Sequence, residues 1–318
     1  MAPRARLDAE LVRRGLARSR EQARALITDG LVKVNGVVAS KPATNVARDT
    51  PIVVVENTGD DWASRGAHKL IGALEEFEPH GLSVAGKRCL DAGASTGGFT
   101  DVLLRREATT VVAVDVGYGQ LVWRLQNDDR VAIHDRTNVR RLSPSDIGGP
   151  VDLVVADLSF ISLGLVLPAL AACTRVGGEL LPMVKPQFEV GKDRVGAGGV
   201  VRDPALRIDA VLTVARSARD LGLSTCGVVA SPLPGPSGNV EYFLWLRKNH
   251  EVDGELTGPV DTQSSDDRPG LHGPSPDRVG ERTNATGQAA DEVGSVADAN
   301  DDAELIAMVT RAVENGPH

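Results

Sequence analysis

Cysteine is scarce in this chain. Only Cys89, Cys173 and Cys226 occur, scattered and without a C-x-x-C pair. Neither a disulfide framework nor a cysteine zinc site is suggested, which fits a reducing compartment such as the cytoplasm. Long apolar runs are also missing. The most apolar window, residues 151–173, is interrupted by Asp152, Asp157 and Pro168, so it reads as strand, loop and helix rather than as a membrane span. The opening residues, MAPRARLDAE, have no apolar core of a signal peptide. The expectation is a cytoplasmic protein with no membrane span and no metal.

The centre of the chain lacks both common phosphate-binding motifs. A dinucleotide fingerprint needs glycine at its third position, where the run Gly93-Ala94-Ser95-Thr96-Gly97-Gly98 has Ser95. A P-loop needs Gly-Lys-Ser/Thr, and here Gly98 is followed by Phe99. What is present is a short apolar run ending at Cys89-Leu90-Asp91, a glycine-rich turn, a helix opening at Phe99-Thr100-Asp101, and a β-branched run, Val111–Val114, closed by Asp115. Strand, turn, helix, strand and acid make a βαβ unit that holds a nucleoside-bearing ligand at a helix N-terminus. Asp91-x-Gly-x-x-x-Gly-Gly-Phe resembles the first motif of S-adenosylmethionine (SAM) methyltransferases. The alternative is a tight βα turn of some other α/β protein. The resemblance implies a Rossmann-like class I fold with SAM as cofactor and Asp115 accepting the ribose hydroxyls. The cofactor set it implies is Asp91, Gly93, Ala94, Ser95, Thr96, Gly97, Gly98, Phe99, Asp115, Asn138 and Asp157.

The formal charge of −8 argues against a nucleic-acid partner only until it is located. Residues 249–318 hold 15 acidic and 4 basic residues, a net of −11 that leaves +3 for residues 1–248. The first fifty residues alone carry 10 basic and 5 acidic side chains. Basic surfaces bind phosphates through counterion release.

Residues 5–30 carry two short helical patterns. Leu7, Leu11 and Leu16 mark the first, and Ser19 with Gln22 marks the N-terminus of the second, around Ala23, Leu26 and Ile27, which Gly30 ends. Val32-Lys33-Val34-Asn35-Gly36-Val37-Val38 is a hairpin signal. The stretch LVRRGLARSREQARALITDGLVKVNG resembles the S-four RNA-binding domain, a small α+β module. That implies binding to structured RNA through Arg4, Arg6, Arg14, Arg18, Arg20 and Lys41, joined by Arg65. A solvated charged helix face is the plain alternative. Leu70, Leu74 and Phe77 then mark the inner side of an amphipathic helix starting at Ser64 or Arg65.

Further on, Val151–Ala156 and Glu179–Val184 are buried strands ending at Asp157 and Lys185, and Val240–Leu246 alternates as a late strand carrying Glu241. Glycine-rich loops lie at 191–199 and 231–238. Residues 249–297 have few large apolar side chains and cannot offset their ordering entropy, so disorder is expected. Leu305, Ile306, Val309 and Val313 recur at helical spacing, with Asp301 or Asp302 at the helix start.

SRGAHKL, VVADLSF, MVKPQFEVG and SGNVEYFLW resemble the FtsJ-like ribose 2′-O-methyltransferases. Their Lys-Asp-Lys-Glu tetrad falls on Lys69, Asp157, Lys185 and Glu241. With the basic module in front, residues 4–248 resemble the TlyA family of rRNA methyltransferases, also called hemolysins. The resemblance implies methylation of a cytidine ribose in 23S rRNA, and in 16S rRNA, near the subunit interface. It implies ribosomal subunits, 50S and 30S, as partners, no obligate protein partner, a monomer, and sensitivity of the ribosome to capreomycin and viomycin. The expected division is an RNA-binding module at 1–59, a linker at 60–64, a methyltransferase domain at 65–248, an acidic disordered insert at 249–297 and a C-terminal helix at 298–318. The insert and the acidic linker pair Asp60-Asp61 are departures from the family.

For the chemistry, Lys185 is expected to contact the 2′-oxygen, with Asp157 positioning it and Glu241 and Lys69 completing the network. Whether Lys185 takes the proton or only orients the oxygen stays open. Burial and Lys69 favour a neutral amine, whereas Asp157 and Glu241 favour the ammonium. Three rival readings stand beside this one: a membrane-active hemolysin, a non-enzymatic RNA-binding or assembly factor, and a nicotinamide-linked enzyme.

Overall fold

The computed structural model describes residues 4–28, 30–54, 62–235, 237–250 and 288–317. In the N-terminal module, β1 (Arg4–Arg6) leads into α1 (Leu7–Arg13) and α2 (Arg20–Thr28). Then come β2 (Val32–Val34), β3 (Val37–Val38), β4 (Asn45–Ala47) and β5 (Ile52–Val54). Strands β1 and β4 pair with each other, while β2 lies between β3 and β5. Asn35 and Gly36 both take positive φ, 51° and 82°, which matches the twist of a two-residue hairpin.

The expected helix start at Ser19 is present in altered form. Ser19 Oγ accepts from Gln22 N at 3.1 Å, but Gln22 Oε1 accepts from Arg18 N, one residue before the position of a standard capping box. Leu7, Leu11, Ala23 and Ile27 fill the module's core. Leu16 does not: α1 ends at Arg13, so helical spacing no longer turns Leu16 inward, and Ala17 is buried in its place.

The second domain opens with α3 (Ala67–Phe77), whose Leu70, Leu74 and Phe77 face inward as expected. It continues through β6 (Arg88–Ala92), α4 (Gly98–Arg105), β7 (Thr110–Val114), α5 (Trp123–Gln126), β8 (Val131–His134), β9 (Val151–Ala156), α6 (Leu167–Cys173), β10 (Thr174–Val184), α7 (Pro186–Glu189), α8 (Pro204–Arg219), β11 (Leu223–Ala230) and β12 (Tyr242–Lys248). One seven-stranded sheet runs in the order β8-β7-β6-β9-β10-β12-β11. The first five strands are parallel, and β12 is antiparallel to both neighbours. Strands buried on both faces read as continuous apolar runs, which makes this domain legible in the sequence. The chain steps outward from β6 to β7 and β8 and then returns beside β6 as β9. That reversal opens a crevice at the carboxyl ends of β6 and β9.

Two hydrophobic layers enclose the sheet. Leu70, Leu74, Phe99, Leu103, Phe243 and Trp245 build one, and Leu167, Leu170, Val211, Tyr242, Leu244 and Leu246 build the other. Glu241 stands immediately before β12 rather than inside it. Because β12 is antiparallel, its start lies at the same end of the sheet as the ends of β9 and β10.

The last helix, α9, spans Gln288–Glu314. It begins well before Asp301, so residues 288–297 are helical rather than disordered. Gln288-Ala289-Ala290 are good helix formers, and Asp291 and Glu292 suit a helix N-terminus. Val309 and Val313 are buried with Leu305 packed beside them, whereas Ile306 is exposed. Residues 251–287, which hold most of the expected acidic insert, and the linker's Asp60 and Asp61 lie outside the described residues.

Candidate active site

The glycine turn is built against the end of β9. Gly93 has φ +89°, and a Cβ there would sit 2.8 Å from the Asp157 carbonyl oxygen. Ser95 takes φ +47°, an uncommon conformation for a residue with a side chain, and donates its N–H to Asp115 Oδ2 at 2.8 Å. Asp115 Oδ1 accepts from Gly117 N at 2.7 Å. Each carboxylate oxygen therefore keeps a lone pair for a further donor, as a ribose diol would supply.

Asp91 is fully buried. Its Oδ2 accepts from Thr100 Oγ1 at 2.6 Å, and its Oδ1 has no partner. Burial raises its pKa, the Thr100 bonds oppose that, and repulsion from Asp115 and Asp157 adds to it, leaving the carboxyl at about 7. An orphaned buried acceptor calls for a donor, and the ammonium of a methionyl group is a suitable one. These residues fit SAM. Ala94, Thr96, Gly97 and Gly98 complete the turn and the start of α4. Phe99 goes inward: its ring packs on Phe243 at 6.0 Å, so its side chain belongs to the core. Asn138 caps a short helical turn by accepting from Arg140 N at 3.0 Å. It sits beside the acid, since its neighbour Thr137 donates to the Asp115 carbonyl.

The four charged residues converge from α3, the ends of β9 and β10, and the start of β12. Lys69 Nζ donates to Glu241 Oε2 at 2.7 Å and lies 3.6 Å from Asp157 Oδ2. Lys185 Nζ pairs with Asp157 Oδ1 at 2.5 Å and donates to Ser159 Oγ at 2.9 Å. Two cations and two anions balance, as buried charges must. Burial pushes Asp157 up, but Lys185 and Lys69 outweigh it and hold the carboxyl at about 2. Burial pulls Lys69 down, and Asp157 and Glu241 more than reverse that, so it stays charged.

Sequence reasoning missed four residues here. Ser159 receives Lys185, and Gln187 Nε2 reaches Glu241 Oε1 at 3.4 Å. Phe160 is 91% exposed, holds φ +64° and meets the Phe188 ring at 5.3 Å. Their signal was position, since all four follow Asp157 or Lys185 by two or three residues.

The expected RNA-binding residues divide. Arg4, Arg18, Lys41 and Arg65 are exposed. Arg6 and Arg20 share Asp8 as partner. Arg14 is turned into the module: it donates to Glu10 and to the carbonyls of Ala47, Arg48 and Thr50. Its guanidinium nitrogens are taken up within the module, unlike those of the exposed arginines.

The sheet order, the glycine turn and the paired lysines and carboxylates define a class I methyltransferase. Residues 62–248 match the FtsJ-like methyltransferase family and residues 5–52 match the S4 domain. The chain belongs to the FtsJ-like methyltransferases, and within them to the TlyA family. It is 65% identical over 247 residues to the 16S/23S rRNA (cytidine-2′-O)-methyltransferase TlyA of Mycobacterium tuberculosis, covering 78% of this chain and 91% of that protein. It is 37% identical to Hemolysin A of Brachyspira hyodysenteriae, covering 75% and 98% of the two chains. A solved structure from Streptococcus thermophilus, also under a hemolysin name, superposes with a TM-score of 0.60 at 39% identity, over 80% of this chain and 92% of that one. Among the described residues no helix is long and apolar enough to cross a membrane.

Proposed function

We propose that this enzyme transfers the methyl group of SAM to the ribose 2′-oxygen of a cytidine in ribosomal RNA, in 23S rRNA of the 50S subunit and in 16S rRNA of the 30S subunit. The convergence of Lys69, Asp157, Lys185 and Glu241 beside the orphaned Asp91 carboxyl carries this reading. The two-subunit specificity is supported by likeness to the 16S/23S enzyme of M. tuberculosis. The protein acts as a cytoplasmic monomer, and its loss confers resistance to capreomycin and viomycin.

SAM supplies an electrophilic methyl on a sulfonium, so the chain's main task is alignment. Asp157 and Ser159 fix the Lys185 ammonium at the end of β10. From there Lys185 orients the 2′-hydroxyl and stabilises the negative charge that develops on its oxygen as the proton leaves to solvent, which frees the lone pair that takes the methyl. Lys69 and Glu241 hold Asp157 in place from the other side. Phe160, exposed at the rim, offers a face on which a displaced base stacks.

The test is incubation with labelled SAM and ribosomal subunits from a strain lacking the enzyme, with the 2′-O-methyl mapped by primer-extension stops at low dNTP. Methylation of one cytidine per subunit is expected. Label in the 50S subunit alone rejects the dual specificity, and absence of both label and SAM binding rejects the enzyme.

A further inference from the structure

Two buried carboxylates on α1 gather the arginines of the N-terminal module, and they do so differently. Glu10 is the closed case. Arg13 grips it at 2.7 and 2.6 Å and Arg14 at 2.8 Å, and the other Arg14 nitrogens go to backbone carbonyls. Asp8 is the open case. It has no solvent exposure, yet it receives Arg6 at 3.1 and 3.0 Å, Arg20 at 3.3 and 3.1 Å, and Arg24 at 3.4 Å. Ala9 N also donates to it, at 2.9 Å.

A carboxylate offers about four lone-pair positions, so Asp8 cannot saturate three guanidinium groups. Arg6, Arg20 and Arg24 keep 45%, 54% and 54% of their side-chain exposure, and each has guanidinium nitrogens that its bonds to Asp8 do not use. Three positive charges against one negative leave a net of about +2, held in one orientation by a single buried group. The Arg6 bond and burial act on the Asp8 carboxyl in opposite senses, and with Arg20 the arginines hold it well below the usual carboxylate range. It is an anion at any physiological pH.

We infer that Asp8 is a positioning residue that pre-organises Arg6, Arg20 and Arg24 into one phosphate-binding cluster for the RNA backbone. Arg24 thereby joins the RNA-contacting set, and Arg14 leaves it. The inference rests on the proposed function, because it takes ribosomal RNA as the ligand. Arg side chains lose rotamer freedom on gripping a phosphate, and a fixed fork has already given it up.

An organising Asp8 and simple charge counting give opposite signs for one substitution. Asp8→Asn adds one positive charge, so an unorganised basic surface would bind RNA more tightly. Removal of an organiser weakens binding. The experiment measures the affinity of the full chain for unmethylated 50S subunits across a KCl series, for wild type, Asp8→Asn, Arg24→Lys and the triple variant Arg6→Gln, Arg20→Gln, Arg24→Gln. Arg24→Lys conserves charge at a half-exposed site and removes only the planar fork, so it needs no rescue of folding. Expected are at least fivefold weaker binding by Asp8→Asn and by Arg24→Lys, and a salt slope shallower by about 1 for each phosphate that is no longer neutralised. Equal or tighter binding by Asp8→Asn, with Arg24→Lys like wild type and the triple variant weak, overturns the organiser and keeps the RNA-binding face. Wild-type binding by all variants removes the face itself.

Discussion

Lys185 Nζ lies 2.5 Å from Asp157 Oδ1 and donates to Ser159 Oγ, so two successive strand ends share one ammonium. Lys185 and Lys69 hold the Asp157 carboxyl at about 2, so it is an anion across the physiological range. Asp157 and Ser159 together fix where the Lys185 Nζ points. Lys185→Ala should therefore lower kcat by at least ~100-fold, the scale of removing a charge-stabilising donor. SAM affinity, measured by calorimetry, should stay within a few-fold of wild type. Near-normal methyl transfer by that variant would remove Lys185 from the reaction.

Lys69 and Glu241 form the more deeply enclosed pair, with Glu241 almost without exposure. Breaking such a pair leaves a buried charge uncompensated and costs about 3–5 kcal/mol. Lys69→Met and Glu241→Gln should each destabilise on that scale in urea titrations. The double variant should fall well short of the sum, because neither change then strands a charge. Strict additivity would mean that the two do not interact in solution.

The fold was legible wherever hydrophobic patterning decides it. Val111–Val114, Val151–Ala156 and the residues before Lys185 are strands as read. Long-range order of the strands is not a local property. The sequence offered only the Rossmann-like class, through the resemblance of Asp91-x-Gly-x-x-x-Gly-Gly-Phe to the SAM methyltransferases. Four sites show where local reading fails. Phe99 stood in the expected cofactor set at the opening of a helix, but the helix that starts at Gly98 points its ring onto Phe243. Leu16 kept helical spacing after its helix had ended. Arg14 looked like its neighbours, and only the folded β4 and β5 region reveals the carbonyls it serves. Gln288 opens a helix inside a stretch read by composition, and composition averages away a ten-residue change.

Asp91 should give the enzyme an unusual pH dependence before SAM is bound. Its carboxyl titrates at about 7 in the folded chain against an ordinary value of 3.8. Between those values the folded state binds more protons than the unfolded one, so stability falls as pH rises through this window and stays low above it. A rise from 3.8 to about 7 corresponds to at most about 4 kcal/mol. Asp91→Asn removes this penalty. It should melt higher than wild type at pH 8, match it near pH 4, and bind SAM weakly at both. A variant less stable than wild type at pH 8 would show that Asp91 is already satisfied without the cofactor.

Phe160 is the side chain whose removal should separate substrate handling from folding. At 91% exposure its ring stabilises little beyond its packing on Phe188. Its φ of +64° is a strain that the fold bears directly after Asp157 and Ser159. Base–aromatic stacking is worth about 1–3 kcal/mol, so Phe160→Ala should lower kcat/KM for ribosomal subunits by roughly 5- to 150-fold. Its melting temperature and SAM affinity should match wild type, and Phe160→Tyr should restore most of the activity. An unchanged kcat/KM in Phe160→Ala would mean that the target base finds its stacking partner elsewhere and that the positive φ serves only the turn.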